Sequence, residues 1–296
     1  MFRAELLKLR STRAFWIVGV VALAGAVLVQ AFTVLMPRLL ERFGGLDELT
    51  APGDGSAGPA TDLVPDLTAL TDLGSATVQR GMLDLLGNGP SGTGSVSVAT
   101  LCLLILGALA GTTDFRTGGI VPTALVVPSR TRMLLGKAGA TAVAALAIGA
   151  GLALVSAIGL TTAIATTPGA GLAVSGADVL GIWGRGLCVL VAFAWLGLGV
   201  GILVRGQVAA IVIVVAVAFV EPMVQAVVVL LSSGTSSAMS WVPLTLGALA
   251  STGQGAAEFL GGAAPVGMAT ALAGLAVWVA VVLGSGAATF RSRDLL

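Results

Sequence analysis

The sequence predicts an all-α, polytopic membrane protein. It has six transmembrane helices, an N-terminal amphipathic interfacial helix, and an extracellular loop between spans one and two. Three observations predict this. Charged residues are 10% of the 296, against about 25% in soluble domains, too few to cover a soluble core. Mean hydropathy is +1.04. Six segments, 14–36, 95–112, 138–165, 179–204, 207–231 and 266–289, match or approach the roughly 20 apolar residues that cross a bilayer. The whole chain, 1–296, reads as a single six-span domain.

The first thirteen residues, MFRAELLKLRSTR, place Phe2, Leu6 and Leu9 on one helical stripe. Glu5, Lys8 and Arg10 fill much of the remaining surface. This pattern suits a helix lying in the headgroup region, with its cations toward anionic lipid. The apolar run that follows is long for a signal peptide and has no clear small-residue cleavage site, so it is read as an uncleaved span.

The connection over 37–94 carries eight acidic residues against Arg38, Arg42 and Arg80. Gly/Pro-rich stretches bracket a segment, 62–86, with apolar periodicity enough for one or two short helices. A small cap and a solvated loop both fit it. Gly87-x-Gly89-x-x-Gly92 matches the letters of a dinucleotide fingerprint, but it contains Pro90 and follows no strand, so it reads as a linker.

The second span ends in a polar island. Gly111 to Lys137 holds five charged side chains, with long apolar runs on either side. Within this segment, 112–137, Asp114-Phe115-Arg116-Thr117 leaves the span, Gly118-Gly119 breaks the helix, and Thr123 to Val127 is short and apolar. Pro128-Ser129-Arg130 closes it, with Ser129 expected to cap the next helix. An apolar core between two breaks suits a short surface helix that docks into something.

Gly107/Gly111 and Gly197/Gly201 are GxxxG pairs, which allow membrane helices to approach closely. In the fifth span Glu221 precedes Pro222. A charge within a span needs a partner or water, and a proline there favours a kink. A gate or cavity acid and a wet bend opening a re-entrant segment, 232–265, both fit. Arg185 is expected to snorkel to the interface.

Six spans put both termini on one side. With that side cytoplasmic, the N-terminus, the 112–137 loop, the Arg205 turn and the tail hold 11 of the 15 basic residues, as the positive-inside rule requires. Termini in the cytoplasm is the expectation.

Other chemistry is excluded or unsupported. There is no His and no Tyr, so His-based triads and His–metal sites are ruled out. No metal site is expected, and the near-neutral charge gives no sign of a nucleic-acid partner. Cys102 and Cys188 sit in apolar runs and read as buried structural thiols. No GxxxxGK[ST] is present, so the chain does not cradle ATP. No catalytic residues and no resident cofactor are expected, and the chain is not read as an enzyme.

The order DFRTG, TALVV, PSR and GK resembles the permease subunits of type-2 ATP-binding-cassette (ABC) transporters of the bacterial exporter type. AELLKLRSTRAFW looks like their leading helix, and FRSRDLL like their tail. Glu221-Pro222 followed by Trp241-Val242-Pro243 is similar to their late signposts. Asp114 stands where the family more often has Glu, and Gly119 where it often has Thr.

The resemblance implies a transport subunit in a bacterial inner membrane, paired with a second permease copy or a related permease. A separate ABC ATPase would bind and hydrolyse ATP. Asp114, Phe115, Arg116, Thr117, Pro128, Ser129 and Arg130 would couple to it. Two other readings stay open: a non-transporting membrane anchor or assembly factor, and an ion-coupled secondary carrier.

Overall fold

The computed structural model describes residues 2–42, 72–88, 97–116, 118, 129–231, 240–253 and 266–292. These residues are 87% helical and contain no strand. In chain order the helices are α1 (Phe2–Ser11), α2 (Arg13–Arg42), α3 (Ala76–Leu83), α4 (Val98–Arg116), α5 (Arg130–Thr166), α6 (Gly176–Val204), α7 (Gln207–Leu231), α8 (Pro243–Thr252) and α9 (Met268–Ser292). Six of them, α2, α4, α5, α6, α7 and α9, are long and apolar enough to cross a membrane. This is a multi-pass, all-α membrane protein.

The centre of the bundle is the α4–α6 pair. About two thirds of the apolar window of α4 is buried, against 17% for α2 and 22% for α7 and α9. Those outer spans show Val20, Leu28, Val212, Phe219 and Val277 on the surface, as helices facing lipid tails do. The two GxxxG pairs are what bring α4 and α6 together. A Cβ on Gly107 would strike the Ala194 carbonyl, and one on Gly197 the Leu104 carbonyl. At Gly201 it would lie 2.6 Å from Ala108 O. The backbones touch along two turns, and only hydrogen fits between them.

Hydrogen bonds sort the connections to two ends of the bundle. At one end are α1, the ends of α4 and α9, the start of α5 and the α6–α7 turn. Arg130 donates to Phe290 O at 2.9 Å, and Arg205 to Thr289 O at 3.4 Å. At the other end Gln30 of α2 donates to Met82 O at 2.6 Å. Gln79 of α3 clasps the α5–α6 loop through Gly171 O at 2.8 Å and Ala173 N at 2.8 Å. The start of α1 and the end of α9 therefore lie at the first end, as an even number of spans requires.

Helix boundaries differ from expectation mainly at α5. Its 37 residues, at about 1.5 Å each, far exceed the roughly 30 Å hydrocarbon core. It begins at Arg130 rather than 138, so about two turns stand beyond the apolar run. Ser129 occupies its N-cap position but makes no capping bond. The hydroxyl instead faces Thr131 Oγ1 at 3.0 Å. The break expected at Gly118 is present: its φ of +67° is the left-handed conformation that ends helices and that glycine adopts without strain.

Two expectations are corrected. Cys102 is buried, but Cys188 is exposed, because α6 turns that position outward, next to exposed Gly184. Arg185 does not simply reach outward. Its Nε donates to Ser251 O at 3.2 Å, a carbonyl in the last turn of α8, where a cation meets the negative end of a helix. Residues 43–71, 89–96, 232–239 and 254–265 lie outside the described residues. So do Thr117, Pro128, the Thr123–Val127 segment and the 293–296 tail.

Candidate functional site

Four charged side chains from three helices meet at the end of the bundle that carries both termini. Lys137 of α5 donates to Asp114 Oδ2 of α4, to Glu5 Oε2 of α1 at 3.2 Å, and to Ala110 O at 3.5 Å. Lys8 of α1 donates to Asp114 Oδ1 at 3.1 Å and to Glu5 Oε1 at 3.2 Å. Each carboxylate thus bridges both lysines. Side-chain exposure is 5% for Asp114, 6% for Glu5, 9% for Lys137 and 45% for Lys8. The cluster is neutral, and three of its four side chains are buried.

Helix geometry explains why it can form. Glu5 lies on the same stripe as Phe2, Leu6 and Leu9, and that stripe faces the bundle. Phe2 lies against Gly139, where a Cβ would come within 3.2 Å of its ring. Leu9 packs on the core. Part of this stripe therefore rests on α5 with Glu5 buried beside it, while Phe2 stays 43% exposed. The Lys8 pKa is raised above the ordinary lysine value. Partial burial works to lower it, and the hydrogen bond and charge of Asp114, with the charge of Glu5, outweigh that.

The residues expected to couple to an ATPase divide into two sets. Asp114, Phe115 and Arg130 point into the bundle. The Phe115 ring meets Phe290 edge-on at 6.3 Å, and the Arg205 guanidinium sits 5.3 Å from the Phe115 centroid in cation–π range. Arg130 anchors the start of α5 to the end of α9 through Phe290 O. Arg116 is exposed and Ser129 partly so. Among the amphipathic-helix residues, Glu5 and Lys8 belong to the cluster and Arg10 is exposed.

Lys137 is the member that sequence reading left out of the site. The signal was there: a lone lysine just where α5 turns apolar, which at such a depth needs a partner. What could not be read was the partner, since Glu5 lies 132 residues away.

At the opposite end Glu221 has a defined task. Its Oε1 accepts from Leu244 N at 2.8 Å and Thr245 N at 3.0 Å. These are the second and third residues of α8, whose N-cap, Val242, has no side-chain acceptor. Glu221 caps α8 from a neighbouring span, satisfying N–H groups that would otherwise be buried and orphaned. Pro222 lies inside α7, which continues to Leu231.

Glu221→Ala is expected to lose about 1–3 kcal/mol, the cost of leaving buried donors unmet. Glu221→Gln should lose much less, because its amide oxygen can still accept both bonds. Equilibrium unfolding of the detergent-solubilised protein measures both. Equal losses would show that the charge, not the acceptor, is what counts.

Nearby Asp84 closes α3. It accepts from Ser251 Oγ at 2.6 Å and Leu86 N at 3.2 Å. Burial pushes its pKa above the ordinary carboxylate range, against these hydrogen bonds. With Arg185 on the other side of Ser251, three polar groups fasten α3, α6 and α8 together.

Among the described residues there is no group of acids and cysteines fit to hold a metal ion. No family model matches this chain, and no curated protein sequence matches it.

Proposed function

We propose that this chain is the membrane permease subunit of an ABC exporter, working as a pair of permeases with a separate ATP-hydrolysing partner. The observation that supports this best is the Glu5–Lys8–Asp114–Lys137 cluster. It fastens the helix that leads into the polar segment (α4), the helix that leads out of it (α5), and the N-terminal helix α1. A push on residues 117–129 would reach all three helices at once, as a rigid-body relay requires.

In this reading Asp114, Phe115 and Arg130 transmit force within the permease, and Arg116 with residues 117–129 grips the ATPase. Closure of the two ATPase copies on ATP tilts α4 and α5 and switches the membrane interface between inward-open and outward-open states. The termini are cytoplasmic, and the membrane is the bacterial inner membrane. ATP is bound by the partner alone.

The test is purification of the tagged chain from its native membrane, followed by ATPase assay of the complex. A P-loop ATPase is expected to co-purify, with its turnover stimulated by the permease. Arg116→Glu is expected to abolish most of that stimulation while insertion and yield stay normal. Absence of an ATPase, or full stimulation with Arg116→Glu, would overturn the reading.

A further inference from the structure

Beside the ion cluster lies a cavity of about 270 Å³, bounded by α1, the first turn of α2, the last turns of α4, Lys137 to Thr141 of α5 and Gln207 of α7. Its charge is unbalanced. Lys137 uses its three N–H donors on Glu5, Asp114 and Ala110 O. Arg13 and Arg116 line the same cavity, are exposed, and form no ion pair among the described residues. Lys8 has committed two of its three donors. Glu5 and Asp114 line it too, but their charges are balanced by Lys8 and Lys137, so the two guanidinium groups are the excess, facing a space whose other walls include Phe15, Leu106 and Leu109.

The cavity also lies at a recognisable depth. Trp16, 58% exposed, donates its indole N–H to Arg10 O at 3.0 Å. A tryptophan where a polar helix turns into an apolar span marks the headgroup level of a bilayer. Ile17 on α2 and Val208 on α7, exposed and apolar, begin the lipid-facing surface just beyond.

We propose that this cavity binds the phosphate headgroup of an anionic phospholipid. Arg13 and Arg116 hold the phosphate, with Lys8 and the Gln207 amide beside them, and the acyl chains leave along α2 and α7. The volume admits a headgroup and excludes the tails. Excess positive charge selects an anionic over a zwitterionic head, because a choline would sit among cations. A free phosphate shares the anion chemistry but would leave the apolar wall uncovered. The test needs no ATPase, and its Arg13→Gln arm leaves unchanged Arg116, the one residue shared with the transport reading.

The full-length protein, delipidated in neutral detergent, is titrated with short-chain phosphatidylglycerol, short-chain phosphatidylcholine or inorganic phosphate, and thermal unfolding is followed. Phosphatidylglycerol is expected to raise Tm in a saturable way, and the other two to leave it unchanged. Arg13→Gln/Arg116→Gln should weaken phosphatidylglycerol binding about 30-fold, and each single variant about fivefold. The single variants keep the comparison valid where the double variant folds poorly. Arg3→Gln/Arg10→Gln, on the neighbouring helix α1 but outside the cavity, should bind as the parent does. An equal shift with phosphatidylcholine, a shift with inorganic phosphate alone, or equal weakening by Arg3→Gln/Arg10→Gln would overturn the proposal.

Discussion

Lys137→Met is expected to destabilise the protein by about 3–5 kcal/mol, the range for removing one partner of a buried ion pair. Without Lys137, Glu5 and Asp114 face each other, 6% and 5% exposed, with only the half-exposed Lys8 between them. Two carboxylates at that separation from one cation cannot both stay charged cheaply. The α1–α5 contact then has every reason to open. The triple variant Glu5→Gln/Asp114→Asn/Lys137→Met should recover most of the loss, since removing a whole buried network is often neutral. Equilibrium unfolding in detergent measures both. A loss below about 1 kcal/mol for Lys137→Met, the level of a surface pair, would mean that water reaches the cluster. The same result would remove the main support for the force relay.

Gly197→Ala is expected to separate α4 from α6. The added methyl meets the Leu104 carbonyl, which is backbone and cannot swing aside. Overpacking of this kind costs about 1–3 kcal/mol and occasionally more, offset by about 1 kcal/mol of better helix propensity. Gly107→Ala should behave alike, since its methyl meets the Ala194 carbonyl of the facing turn. Combining the two should cost less than the sum, because one shift of the helices relieves both clashes. Gly184→Ala, at an exposed position of α6 with open space around it, is the control and should be neutral or mildly stabilising. Equal unfolding midpoints for Gly197→Ala and Gly184→Ala would refute the close crossing.

Much of the fold was legible because a bilayer imposes a simple rule. A segment that must hide its backbone polar groups in hydrocarbon becomes a helix about 20 residues long, and length with apolarity reveals it. The six spans, the Gly118 break and the two GxxxG pairs are local facts of this kind. Even the grouping of Arg130, Arg205 and α1 at one end follows from counting spans.

The roles of the charges were not legible in the same way. The pattern of α1 is amphipathic, and an amphipathic helix can lay its stripe on lipid or on protein with equal local logic. Glu5 was read as part of a wet face, and the fold buries it. Glu221 was read as either a gate acid or a wet bend, and its pattern gave no sign that its carboxylate caps a helix that begins 22 residues later. Arg185 was expected to seek the interface and instead meets the end of α8.

By itself the sequence determined the number of spans, their order, and which glycines could let helices touch, because each depends on residues near one another in the chain. Only the tertiary structure decided which buried charges meet. A charge in a low-dielectric interior takes its meaning from its nearest counter-charge. For Asp114 and Lys137 that counter-charge comes from a different helix, and only packing brings the two together.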